Sequence, residues 1–188
     1  MVTERTRRGF LRRTERMSQK RQAGFSLIEL LIVVAIILII AAIAIPNFLR
    51  ARIAANEASA VASVRDIRTA ELMYYNAFPN LGYADKLLYL GGPEPCSFSS
   101  TTACLVADPL SNAGVGTGGK SGYVFSALGL NTGGTNNDSF IIGAAPNVPS
   151  QTGNRSFCST TDNITRSNST PNGTPVTTVV ACLAFAPI

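Results

Sequence analysis

The chain has 188 residues, 46% hydrophobic and 14% charged, which suits one modest domain with an accessory segment and excludes an intrinsically disordered protein. Its formal charge of +5 belongs to its beginning, because residues 1–24 hold eight basic side chains against Glu4 and Glu15, a net of +6, and leave the remainder at −1. A basic cluster that runs at once into an apolar stretch favours holding the N-terminus on the cytoplasmic side of a membrane over binding nucleic acid. With no histidine anywhere, a Ser-His-Asp or Cys-His catalytic pair is excluded.

Residues 25–45 read FSLIELLIVVAIILIIAAIAI, with only Ser26 and Glu29 polar. At about 1.5 Å per residue, such a helix matches the thickness of a bilayer core. Residues 30–45 alone are slightly short for a span, so the start carrying Glu29 is expected near the cytoplasmic interface. A carboxylate at mid-helix in hydrocarbon costs about 2.5 to 3.5 kcal/mol on insertion scales. Glu29 is therefore read as kept for a cationic partner. Ordinary secretory cleavage near Ala42 or Ala44 is the weaker reading, since the apolar core is longer than a signal core and runs through Pro46 into helix-compatible sequence.

Residues 47–78 are rich in Ala, Arg, Glu and Leu and lack Gly and Pro, which predicts a second helical half, with a bend at Pro46. Ile53, Ala60, Val64, Ile67, Tyr74 and Phe78 fall on one stripe. Arg50, Asn56, Glu57, Ser63 and Asp66 are placed largely elsewhere, and Glu71 interrupts the stripe. Tyr74, Tyr75 and Phe78 are expected to pack beneath a sheet, and Arg50 and Arg52 to meet acids such as Glu57 of adjacent copies.

Helix signals stop at Pro79. Residues 79–119 read as an irregular connection, with a short element at 86–90. Strands are expected at 122–128, 139–145, 155–159, 164–166 and 177–185, forming a small antiparallel sheet. The glycine run 114–119 lacks the spacing of a phosphate loop. Asp85, Glu94, Asp108, Asp138 and Asp162 show no metal-ligand spacing and are read as turn or solvated residues, so neither a metal nor a cofactor is expected. Asn154, Asn163, Asn168 and Asn172 head Asn-x-Ser/Thr triplets, which arise readily by chance in so Asn- and Thr-rich a tract.

Four cysteines, Cys96, Cys104, Cys158 and Cys182, lie beyond the apolar run and point to an oxidising compartment. Three pairings are open to them. Cys96 with Cys104 and Cys158 with Cys182 is favoured, the first as a local staple of the connection, the second joining later strands. Zinc is disfavoured, since there is neither histidine nor a CxxC pair.

The segment Lys20-Arg-Gln-Ala-Gly24 followed by Phe25-Ser-Leu-Ile-Glu29 and the apolar run resembles the processing and methylation motif of type IV pilins, shared with pseudopilins of type II secretion. Pro46, the long helix and the disulfide-bearing sheet are similar to the pilin roll, an α+β fold. The resemblance implies a cleaved leader 1–24 (or a shorter one starting at Met17), a transmembrane and filament-core half 25–46, an amphipathic half 47–78, and a globular part 79–188. It further implies cutting between Gly24 and Phe25 and methylation of the Phe25 amine by a prepilin peptidase. The subunit would wait in the inner membrane with its globular part outside, until an assembly platform and ATPase, with minor pilins, draw it into an extracellular homopolymer. Phe25, Glu29 and Pro46 would serve assembly. A pseudopilin of a secretion or DNA-uptake filament is the alternative, and adhesion and motility are among the roles such filaments serve.

Overall fold

A computed structural model describes residues 24–188. The basic leader, with Lys20 to Ala23 of the motif, lies outside the described residues. One helix, α1 (Leu27–Ala77), continues through Pro46. The proline has no amide to offer the carbonyl of Ala42, so one intrahelical bond is absent there. Residues up to Ala42 and residues from Ile43 onward form separate compact units. In the first unit the large apolar side chains of α1 are exposed.

In the second unit α1 buries Glu57, Ala60, Val64, Ile67, Glu71 and Tyr74. Their spacing alternates between three and four residues, which keeps them on one face of a helix. Glu57, assigned by sequence to the solvent side, is thus on the buried stripe, and Ser63 is buried beside it. Tyr74 is buried as expected. Tyr75 is not: it is 43% exposed and lies against Tyr83, with ring centroids 4.9 Å apart. Phe78 is half-buried and stacks on Phe98 at 5.3 Å.

The connection after α1 contains a 3-10 turn (Leu87–Leu90) and α2 (Asp108–Ser111). It is tied together by backbone bonds, including Ala103 N–H to Tyr89 O at 2.8 Å and Leu105 N–H to Leu90 O at 2.8 Å. Leu87, Leu90, Ala103, Val106, Leu110 and Ala113 join the main core, so the segment is a wall of the domain more than a loop.

Five antiparallel strands follow in the order β1 (Tyr123–Leu130), β2 (Ser139–Pro146), β3 (Ser156–Thr160), β4 (Thr165–Asn168) and β5 (Ala186–Pro187). The first four fall where alternation and turn residues place them. Residues 177–185 do not form the expected strand: they contain α3 (Val179–Leu183), and only Ala186 and Pro187 pair, with Ser167 and Arg166. The apolar run misled because its side chains are not uniformly inside. Cys182 is fully buried, whereas Val180 is 82% exposed.

Alternation along the strands sends Phe125, Phe140, Ile142 and Phe157 into the core shared with α1, while Ile141 and Cys158 join Cys182 in a second, smaller core with Val176, Val179 and Phe185. Strand β2 is therefore buried on both faces. Glycine is required at its middle, because a Cβ on Gly143 would sit 2.3 Å from the carbonyl oxygen of Val176 in the covering segment. The disulfide Cys158–Cys182 pins that segment, and Cys96–Cys104 closes a small ring in the connection.

Candidate functional site

Gly24, Phe25 and Ser26 precede α1 and belong to no helix or strand. The carbonyl of Ser26 accepts the amides of Glu29 at 3.1 Å and Leu30 at 3.2 Å, which starts the helix. A Cβ built on Gly24 meets nothing within 4 Å. Nothing among the described residues requires a glycine there, so any demand for a small residue comes from outside them. Phe25 is 74% exposed.

Glu29 occupies the first turn of α1, where the partial positive charge of the helix N-terminus favours a carboxylate. It is exposed and has no salt-bridge partner among the described residues. Around it Leu27, Ile28, Leu30, Leu31 and Ile32 are all exposed. The most apolar 18-residue window of α1 has a mean hydropathy of 3.3 and no buried residue. A helix that is apolar all round is stable only in lipid or among similar helices. The motif residues thus sit together at the tip of an unpacked apolar helix.

Within the second unit, the buried half of α1 is fastened by polar contacts that the sequence did not announce. Glu57 accepts the Asn154 amide at 2.9 Å through Oε1 and both Nε and Nη2 of Arg155 at 2.8 Å through Oε2. This is a two-pronged ion pair. Its carboxylate is nearly enclosed, while Arg155 is half exposed and lies over the Phe157 ring at 5.4 Å. The expected partnership of Arg50 and Arg52 with Glu57 of adjacent copies is thereby corrected: Glu57 is used inside its own subunit. Asn56 donates to Thr152 O at 2.9 Å, Arg68 to Asn163 O at 2.6 Å and Lys120 to Ser63 Oγ at 2.8 Å. The signal that would have found Glu57 is its spacing from Ala60 and Val64.

Glu71 is fully buried. Its Oε2 accepts the Ala84 amide at 2.9 Å and Oε1 has no partner. Burial, only partly offset by that amide, raises its pKa to about 8, with Asp85 adding to the rise. Burial also raises the Tyr123 hydroxyl, with Glu57 as the next contributor. Asp162 behaves oppositely: hydrogen bonding to Arg166 at 2.5 Å, with further bonds from Ile164 N–H and Thr160 Oγ1, lowers it to about 2. Asp138 accepts the Thr132 amide and hydroxyl, and Asp108 the Asn112 side chain. These acids close turns. Among the described residues, no group of three or more His, Cys, Asp or Glu side chains is placed to hold a metal.

A long apolar helix with a carboxylate in its first turn, packed lower down against a small antiparallel sheet, defines an α+β pilin-like protein. Residues 19–45 match the family described as "Prokaryotic N-terminal methylation motif". Over 56 residues, 30% of the chain, it is 45% identical to the type IV major pilin protein PilA of Myxococcus xanthus. Over 51 residues, 27% of the chain, it is 53% identical to the type IV wide pilus major component PilA4 of Thermus thermophilus. The matches span only 26% and 39% of those two proteins. No solved structure matches the chain.

Proposed function

We propose that the chain is a structural subunit that polymerises through α1 into a type IV pilus. The observation that carries this reading is Glu29, which has no salt-bridge partner among the described residues and stands in the first turn of a helix whose apolar first half is exposed there. Cutting after Gly24 creates a cationic amine on Phe25, four residues before Glu29. When stems pack side by side, the amine of one copy meets Glu29 of another.

Such a pair adds little net attraction, because both charges lose hydration, whereas either one buried alone costs several kcal/mol. Its effect is to select one axial offset among many, while the apolar side chains supply the cohesion. Pro46 gives the helix local freedom between its halves. The same reading assigns a prepilin peptidase that cuts and methylates, an inner-membrane stage with the globular part outside, an assembly platform with its ATPase, minor pilins, and an extracellular filament.

The intact mass of the protein sheared from cells tests this. It should correspond to a chain starting at Phe25, with one added methyl group and both disulfides closed. A sheared product that retains residues 1–24, or a chain found only in the membrane of cells bearing filaments, would sink the reading.

A further inference from the structure

Charged side chains that make no salt bridge among the described residues lie along α1, as Arg52, Arg65 and Asp66 do, and at both ends of the globular part. At its lower end an open cleft of about 320 Å³ is lined by Arg50, Ile53, Ala54, Glu57, Asn154 and Arg155. Glu57 and Arg155 satisfy each other, but Arg50 is exposed and has no hydrogen-bond or salt-bridge partner among the described residues. At the other end, the turn 131–138 between β1 and β2 is held beside the end of α1 by Asn136 Nδ2, which donates to Pro79 O at 3.1 Å. Asn137 Nδ2 also donates to Asp85 Oδ1 at 2.6 Å. Two exposed carboxylates, Asp85 and Asp138, flank Asn137 there, against one lysine, Lys86. Arg50 and Ala77 are 27 positions apart on one helix, roughly 40 Å along its axis at 1.5 Å per residue.

A cationic cleft at one end and an anionic turn at the other form a head-to-tail pair that no single copy can close on itself. We propose that in the filament the β1–β2 turn of one copy seats in the Arg50 cleft of the next, with Asp85 and Asp138 facing Arg50. The proposal rests on the reading of the chain as a pilin. It assigns the globular parts a contact of their own, separate from the stem. Because the pair lies at an exposed rim, added salt weakens it.

Charge reversal in cells that assemble the full chain tests the contact. Arg50→Glu, and separately Asp85→Lys with Asp138→Lys, should each lower filament yield by about tenfold, which corresponds to roughly 1.4 kcal/mol per contact. Combining all three should restore it. Asp138→Lys also disturbs a turn bond, so a second arm leaves the charges intact and introduces Ala54→Cys with Thr135→Cys. The native cysteines are all paired, so a ladder of disulfide-linked subunits in sheared filaments, absent from either single variant, reports the contact directly. Filaments that form normally in the reversed variants and give no ladder overturn this contact alone. An unaltered chain that forms no filaments overturns the pilin reading, and the contact with it.

Discussion

Glu71 Oε2 accepts the amide of Ala84 at 2.9 Å, on a fully buried side chain whose second oxygen has no partner. One hydrogen bond does not balance the loss of water around a carboxylate, so the neutral acid is the form that suits this site.

The sign of the pH effect follows. With a folded pKa of about 8 against 4.5 for the ordinary group, the native state holds a proton that the unfolded chain has released. The contribution of Glu71 to stability is fully present below pH 4.5, falls by about 1.4 kcal/mol per pH unit as pH rises towards 8, and levels off above it. Glu71→Gln should flatten this slope and raise stability at pH 7 by about 3 kcal/mol, while changing little at pH 4. Thermal unfolding of the full chain in detergent, followed by circular dichroism at both pH values, reads the difference. A wild-type midpoint that climbs between pH 5 and 8 would be the wrong sign.

Glu57→Ala should cost about 1 to 3 kcal/mol, because it leaves the Asn154 amide without its acceptor and frees Arg155. Arg155 is half exposed and can return to water, so the amide dominates the loss. Glu57→Gln keeps an acceptor for Asn154 and should recover roughly half. Equal losses in the two variants, measured by denaturant midpoints, would assign the effect to the ion pair instead.

The two disulfides should differ in both stability and access. Their sequence separations are 24 and 8 residues, so chain-entropy arguments give Cys158–Cys182 about 1 kcal/mol more than Cys96–Cys104. Cys158 and Cys182 are fully buried, whereas Cys104 is exposed. Mild reductant followed by alkylation and peptide mass analysis should label Cys96 and Cys104 first. Simultaneous labelling of all four would mean that the smaller core opens as readily as the surface.

Gly24→Trp and Glu29→Ala should fail at different stages. The open space around Gly24 means that tryptophan leaves the described fold undisturbed, so the expected product is a folded, membrane-held precursor of unprocessed mass. Glu29→Ala should be inserted and cut normally yet join filaments at least about tenfold less well. Mature mass from the first variant, or wild-type filament yield from the second, contradicts the roles given to these residues.

The sequence was informative wherever one physical effect dominated. The apolar run, the helix-favouring 47–78 segment and the turn-bounded strands each carried a local signal strong enough to fix the element. Weighing polarity above spacing puts Glu57 and Ser63 on the wrong side, although the three-and-four alternation through Ala60, Val64 and Ile67 reaches back to Glu57; the same alternation already places Glu71 on the stripe. The 177–185 segment was misjudged for the opposite reason: its apolar residues suggested a buried strand, while the close approach of Val176 to Gly143, and the bond from Cys182 to Cys158, set the path of that segment over the sheet. Such long-range constraints have no local signature.

Both covalent bridges lie beyond α1, so apart from the chain itself at the end of α1, the sheet and connection are held to this stretch of helix by reversible contacts: the shared apolar core, the Glu57 clamp, Asn56 to Thr152, Ser63 to Lys120, Arg68 to Asn163, Tyr74 to Ser100 and Glu71 to Ala84. In a fibre under tension, load that travels along the helices reaches the sheet through these contacts and through the chain at the end of α1. Overstretching would therefore peel the sheet from its helix before any bond of the backbone is broken, and the same contacts would close again when the pull is released.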